Sequence, residues 1–323
     1  MKRFHLFGMF ALLCLFAAAA EAQTVTLRYR WAKGDSRTYR MKTQTDSAIS
    51  VVSGMPGAGP TSISQTMTQV LKFAAEDVAP DGTITLRQTF QSVRMETNSP
   101  MGRMVVDTSV PDTNPNFMAQ AMRQVLGAMV GGSVLIVMAP DGAVRKVEGA
   151  SRIADKIAQV IAADPSAGAA GQGLKAMLSD DALKNTLEQT FPRLPAGRLK
   201  PGDTWTGQLA MGSPAIGRIA GTSTFTLTTL QGSAEAPVAR ISVGLTLKQE
   251  VVPPPSGPSG MVMKLAGGRG EGEILFDVGK GHIQRSAMRT ELPSTVTMTG
   301  PDGAPAMMQN KTTTTMTMEL VDK

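Results

Sequence analysis

Imidazole, thiolate and activated hydroxyl are the side chains most often recruited for chemistry, and this chain holds few of them in workable combinations. Its 323 residues include 2 histidines and 1 cysteine. His5 and Cys14 both fall in an N-terminal stretch with the marks of a removable signal, which leaves His282 as the one imidazole of the mature protein. One histidine cannot build a two-histidine metal site, and a chain without thiols has neither a disulfide nor a thiolate nucleophile. A triad would have to join His282 to Asp277 and some serine, yet His282 follows Val278-Gly279-Lys280 in what reads as a hairpin turn. The nucleophile-elbow pattern Gly-x-Ser-x-Gly and the pattern Ser-x-x-Lys are both missing from the sequence.

Carboxylates are the remaining reactive class. Asp180-Asp181 sits where a helix should begin, and acids there serve the helix dipole. Glu271 and Glu273 alternate along a strand, so both face the same way, which suits paired acid–base work and a plain solvated face equally. The cluster Gly267-Gly268-Arg269-Gly270-Glu271-Gly272 lacks the Gly-Lys-Ser/Thr ending of a phosphate loop and runs into Ile274-Leu275-Phe276 instead of a helix. A bulge or sharp bend in a curved sheet accounts for it better. The chain therefore reads as non-enzymatic, with no catalytic residue, no metal site and no cofactor. An unfamiliar enzyme using Glu271, Glu273 or Asp277 is the rival reading.

Methionine is the compositional oddity, at 22 residues. Its flexible, polarizable side chain fills irregular cores or lines surfaces that accept varied apolar ligands, and in an exported protein it can also bind copper(I). Trp31 and Trp205 flank two similar turns, where each either covers a core or stacks on a ligand. With Met118 and Met122 they make up the candidate ligand-binding residues.

The elements that must position these residues are mostly strands. Aromatic residues are 4% of the chain while Gly numbers 33 and Pro 20, a composition of many short segments joined by turns. Residues 24–108 are rich in Thr, Val and Ile, and Ile84, Leu86 and Phe90 alternate with Thr85, Arg87 and Thr89. Pro80-Asp81-Gly82, Pro140-Asp141-Gly142 and Pro301-Asp302-Gly303 predict three hairpin turns. The period changes in the middle. Asn114-Pro115 reads as the start of a helix carrying Phe117, Met118, Ala121, Met122, Val125, Leu126 and Met129 up to Gly131-Gly132. A buried strand over 134–138 and another over 144–147 follow, then a helix with Ile153, Ile157, Val160 and Ile161, and further helical text over 174–178 and 180–190. After Lys200 strands return at 223–230, 238–251, 261–265, 274–278, 283–288 and 316–320, around an exposed loop at 253–258.

Lys33-Gly34-Asp35-Ser36 recurs as Lys200-Pro201-Gly202-Asp203-Thr204, an offset too long for a solenoid and suited to two related β units. Chance coincidence of two common turns is the alternative.

The address is read from the N-terminus. Lys2 and Arg3, an apolar run from Leu6 to Ala20 and an Ala20-Glu21-Ala22 exit make a secretory signal peptide, cleaved near Ala22 and placing the protein in the periplasm or outside the cell. Lipid anchoring at Cys14 is disfavoured because Ala11 stands where such sites want Leu. No later run is long and apolar enough to span a membrane. The net charge of +6 is dispersed, without the basic stripe and interleaved aromatics of a nucleic-acid binder.

The opening Arg28-Tyr29-Arg30-Trp31-x-Lys33-Gly34-Asp35, the junction Pro192-x-Leu194-Pro195 with Lys200-Pro201-Gly202-Asp203-Thr204-Trp205, and the ending Gly270-x-Gly272-x-x-x-Phe276-Asp277-x-x-x-Gly281 resemble an uncharacterised family of exported bacterial β-rich proteins. The resemblance covers nearly the whole mature chain and implies address and architecture, with no activity attached. More distantly, the layout resembles the half-barrels of periplasmic lipoprotein carriers, an analogy of fold alone. The expected architecture is a β-rich α+β protein: a signal peptide (1–22), a first β unit (23–112), a helical middle with a β-hairpin (113–195) and a second β unit (196–323). The two units are expected to be related antiparallel curved sheets, half-barrel-like, with the helical segment packed against them. The expected role is binding of a lipid-like, apolar or amphipathic ligand or an envelope protein; a structural adaptor with a filled interior is the alternative.

Overall fold

The computed structural model describes residues 23–53, 59–111, 116–163, 175, 178–213, 217–233, 236–251, 262–299 and 305–321. The expected signal peptide, the turn at 301–303 and the loop at 253–258 lie outside these residues. The first half forms β1 (Ser36–Ser53), β2 (Thr61–Val78), β3 (Ile84–Ser99) and β4 (Gly102–Asp107), then helix α1 (Phe117–Met129), β5 (Ser133–Met138), β6 (Val144–Glu148) and α2 (Ala150–Ala163). Helix α3 (Asp180–Thr190) leads into β7 (Thr204–Ser213), β8 (Gly217–Gln231), β9 (Val238–Val251), β10 (Val262–Leu265), β11 (Gly268–Asp277), β12 (His282–Thr299) and β13 (Pro305–Leu320).

The strands of both expected units form one sheet, in the order β6-β5-β3-β2-β1-β13-β12-β11-β9-β8-β7, with β4 beside β3 and β10 beside β12. All described pairings are antiparallel, and the first and last strands close the gap between the halves in a register running from Tyr39–Leu320 to Val51–Met308. The Lys/Gly/Asp turns at 33–35 and 200–203 are built alike. In each the aspartate carboxylate accepts an upstream amide, from Ala32 and from Lys200, at 2.8 Å. In each the glycine has a positive φ and donates into the next hairpin, Gly34 to Ala75 and Gly202 to Leu227. The turns at 80–82 and 140–142 join β2 to β3 and β5 to β6, as their Pro-Asp-Gly text implies. Helix α1 begins two residues later than the Asn114-Pro115 pair suggested: Asn116 is the cap, its side-chain oxygen accepting from the Ala119 amide at 3.1 Å.

The sheet curls strongly. Helix α3 packs against both β6 and β7, the two ends of the strand order. Laid flat, ten strand spacings would separate those ends by about 48 Å, whereas an 11-residue helix is about 16 Å long. A glycine stripe permits the bend. The inward positions of β11 before Ile274 are Gly268, Gly270 and Gly272, and the flanking strands fold over this bare strip. A Cβ at 268 would lie 2.6 Å from Leu292 and one at 270 would lie 3.0 Å from the Arg289 carbonyl, while one at 272 would collide with the Ala287 carbonyl.

One end of the curled sheet is closed. Segment 25–31 crosses it, bonding to Leu199 beside β7, to the Pro140 carbonyl in the β5–β6 turn and, through the Arg30 amide, to Gly281 in the β11–β12 turn. Above it Tyr29, Tyr39, Phe73, Phe191 and Phe276 meet edge to face with ring centroids 5.5–5.8 Å apart. The Tyr29 hydroxyl donates to Pro192 and the Tyr39 hydroxyl to Ile283. Burial raises the Tyr29 pKa well above the ordinary value and pushes that of Tyr39 up to about 12. His282 lies at this end with 5% of its surface exposed. Its imidazole is held below its usual pKa by burial first and then by the charge of Arg37, while Asp277 opposes them.

Gly272→Ala should lower folding stability by roughly 1–3 kcal/mol because backbone atoms must move. Gly244→Ala, on the opposite face with open space around it, should be neutral or raise stability by up to about 1 kcal/mol; urea midpoints of the two variants decide this. His282 favours its neutral form in the folded chain, so the unfolded chain takes up the proton first as pH falls through about 6.5. Stability should therefore be full above that pH and decline below it, and His282→Gln should flatten that part of the profile in denaturation series between about pH 7.5 and 5.5.

Candidate functional site

The register of the sheet assigns every strand residue to one of two faces, and the faces differ in kind. The inward face is floored by Tyr39, Phe73 and Phe276, each buried to 1% exposure or less. Two levels towards the hairpin tips, past the buried Met41 and Met318, Met288 pairs with Met316, Met316 with Thr43, Thr43 with Met67 and Met67 with Met95. The next level aligns Thr290, Thr314, Thr45, Gln65 and Thr97 across five strands. Burial loosens at these two levels, where Met95 is buried but Met67, Met288, Met316, Thr45 and Thr314 are half-buried and open to solvent, and it rises again nearer the tips at Ser294, Val296 and Ala306. Helices α1 and α2 join the hydrophobic cluster of the deeper part through Val125, Leu126, Ile153 and Ile157.

From Tyr39 outward, the charged side chains of the described strands lie on the other face. Arg40, Lys42 and Asp46 of β1, Arg94 and Glu96 of β3, and Lys311 and Glu319 of β13 are all out of phase with the methionine and threonine rows. They pair with one another across strands: Arg94 with Asp107 at 3.1 Å, Arg285 with Glu319 at 3.2 Å, Arg240 with Glu273 at 2.7 Å. Glu291 faces Arg289, Lys311 and Arg269, and the Arg289 hydrogen bond first, then the Lys311 charge, holds its carboxyl below the usual range. A transmembrane barrel needs an apolar outer band, and this outer face is ionic. No helix among the described residues is long and apolar enough to cross a membrane.

The inward face also carries unsatisfied hydrogen-bonding capacity. Thr45 and Thr314 hydroxyls are 3.5 Å apart and Ser47 and Thr312 hydroxyls 3.3 Å apart. Asn310 donates through Nδ2 to Thr312 at 3.2 Å, and its Oδ1 is buried without a partner. An uncharged trough with an apolar lower wall and a hydroxyl-lined upper wall can hold an apolar body and meet a small polar group.

The residues singled out from sequence do not assemble into one site. Trp31 is buried at the closed end with the Arg37 guanidinium 3.9 Å over its ring. Trp205, in edge strand β7, stacks on Phe225 at 5.4 Å and donates to the Arg193 carbonyl. Met122 packs against the core, and Met118 beside it is 64% exposed. Of the candidate carboxylates, Glu273 pairs with Arg240, Asp277 accepts from the Lys280 amide and from Gln284, and Glu271 is exposed on the outer face. Asp180 accepts from the Ala150 amide and ties α3 to α2. An open groove of about 640 Å³ near the hairpin tips draws mostly on outward positions, Asp46, Ser64, Asn98 and Lys311 among them. What sequence reasoning missed is the methionine row, since Met67, Met95, Met288 and Met316 meet only through strand register.

Against known proteins, the family of unknown function DUF6263 matches residues 81–283. No curated protein matches the sequence. Among solved structures, a lipovitellin structure concerned with lipid–protein interactions is similar over 91% of this chain and 26% of its own, at 8% identity and TM-score 0.40, so the chain spans about a quarter of its length. DynF from the dynemicin biosynthesis pathway of Micromonospora chersina is similar over 92% of this chain and 85% of its own, at 8% identity and TM-score 0.19. The transport unit of the autotransporter AIDA-I from Escherichia coli is similar over 88% and 90%, at 7% identity and TM-score 0.21. Likenesses this slight carry no argument about function.

Proposed function

The chain belongs to the DUF6263 family, whose function is unknown, and we propose that this member is a non-enzymatic exported protein of the cell envelope that binds an apolar or amphipathic ligand on the inward face of its curled sheet. The observation that carries this reading is the half-buried, uncharged row of Met67, Met288 and Met316 directly above a fully packed floor. Methionine adapts its shape to a ligand at little cost, which suits a lining more than a fixed core. The signal-like N-terminus supports export, and the structural duties of Glu273 and Asp277 weigh against the carboxylate-enzyme reading.

The matching Lys/Gly/Asp turns support a further part of the proposal, that the two halves are related half-barrel-like units set side by side. Strands β1-β2-β3-β5 and β7-β8-β9-β11 occupy the sheet in the same running order. The packed aromatic floor favours a second reading, an adaptor whose interior is filled throughout and which offers its outer surface to a partner protein.

Titration with N-phenyl-1-naphthylamine, which brightens in apolar surroundings, separates the two. The carrier reading expects saturable binding, weakened about tenfold or more by Met316→Glu, because a carboxylate placed in the trough must be desolvated. Lys42→Glu, on the outward face, should leave binding unchanged. A wild-type protein that binds no dye would support the filled adaptor.

A further inference from the structure

The trough is polar in one particular way, and that limits what its occupant can carry. We infer that its ligand is a neutral lipid with a free hydroxyl on its head, such as a diacylglycerol, and that anionic headgroups are rejected; this rests on the carrier reading above.

The first argument is charge. A phosphate or carboxylate entering the trough sheds water and needs cations or several converging donors in exchange. The cations of the neighbouring strands, Arg40, Lys42, Arg289 and Lys311, all point to the opposite face. Arg37, at the closed end, is engaged with the carbonyls of Arg30 and Lys280 and with the Trp31 ring. The thread of hydroxyls formed by Thr290, Thr314 and Thr45 carries no net charge, and a neutral head loses little by meeting it.

The second argument is the sense of the hydrogen bonds. Asn310 lies on the inward face, two residues beyond Thr312, between Ile49 and Ser294. Its Oδ1 is a buried acceptor lacking a donor, and an acceptor left bare in a dry site is costly. A hydroxyl can donate to it. A phosphodiester, a carboxylate and a fully esterified head have no donor to offer. The adjoining Ser47–Thr312 pair, at 3.3 Å, can return a hydrogen bond to the same hydroxyl's oxygen. The apolar chains then run towards the methionine row, where adaptable thioethers accept differing chain lengths and bends.

Displacement of bound N-phenyl-1-naphthylamine by three lipids with the same acyl chains tests this: dioctanoylglycerol, its acetylated ester and dioctanoyl phosphatidate. The alcohol should displace the dye at least about tenfold more effectively than the phosphatidate and several-fold more effectively than the ester. Asn310→Ala and the near-isosteric Thr312→Val should reduce the preference for alcohol over ester at least about threefold, whereas Lys42→Glu, on the outward face, should leave that preference unchanged. Phosphatidate displacing as well as the alcohol, or an ester as effective as the alcohol, overturns the inference and leaves the carrier reading standing. A wild-type protein that binds neither dye nor lipid overturns both.

Discussion

The structure depends on a strip of backbone with nothing attached to it. At Gly268, Gly270 and Gly272 the inward face of β11 has no side chain, and β9 and β12 lean over the vacancy until Leu245, Leu247, Leu292 and Met288 lie where side chains of β11 would otherwise be. An antiparallel sheet of this many strands with bulky residues at all inward positions would twist and remain open, with two exposed edges. Here the bend brings β6 and β7 to a common helix, so both edges are covered by α3. The N-terminal segment then finishes the closure: its bonds to Leu199, Pro140 and Gly281 join parts of the chain that are far apart in sequence and adjacent only because the sheet has curled.

That closure separates two regions with different physical work. The floor holds the long-range contacts and the buried hydroxyl bonds of Tyr29 and Tyr39, and supplies most of the apolar burial. The upper strands bury less, chiefly Ile219, Leu247, Val296 and Ala306, and otherwise rely on ladder hydrogen bonds and on outer-face ion pairs, which contribute little individually. Stability concentrated at one end relieves the other of the need to be filled. A binding face can sit on the less densely packed part while the scaffold beneath it stays fixed.

Local chemistry was readable in the sequence; register was not. Pro80-Asp81-Gly82 and Pro140-Asp141-Gly142 form turns because Asp81 and Asp141 bond the amides of Thr83 and Ala143 at 2.9 and 3.0 Å, interactions confined to a few residues. The glycine cluster was legible as a bend for the same reason. Strands β12 and β13 run well beyond the segments 283–288 and 316–320, since their extensions are rich in Thr, Ser, Asn and Gln and lack a strong apolar alternation. Pro293 also argues against a long central strand. It is tolerated because it stands opposite the break between β10 and β11, where its carbonyl accepts from Ala266 and no partner requires the missing amide hydrogen. The trough was hidden because Met67, Met95, Met288 and Met316 come from four strands and align only once all the pairings are known, whereas Trp31 and Trp205 stood out by rarity and turned out to be engaged locally.

The composition of the inward face changes at the level where burial changes, and this bears on what the interior is for. Below, the residues are those that pack in one way: Leu27, Ile84, Leu86, Phe73 and Leu227, all nearly inaccessible. Branched side chains are buried again near the tips, at Ile219, Leu247 and Val296, and an interior filled throughout would carry that vocabulary through the levels between as well, because branched and aromatic side chains with few rotamers specify a core best. Above the floor the sequence turns instead to methionine, which specifies shape poorly, and to threonine, which keeps a hydroxyl facing inward. Excluding charge from that level while placing it at alternate positions on the outer face requires strict phase along strands of up to 18 residues. A surface meant only for water would not need that phase. A surface meant to receive something apolar, and to meet a small neutral head beside Asn310, would.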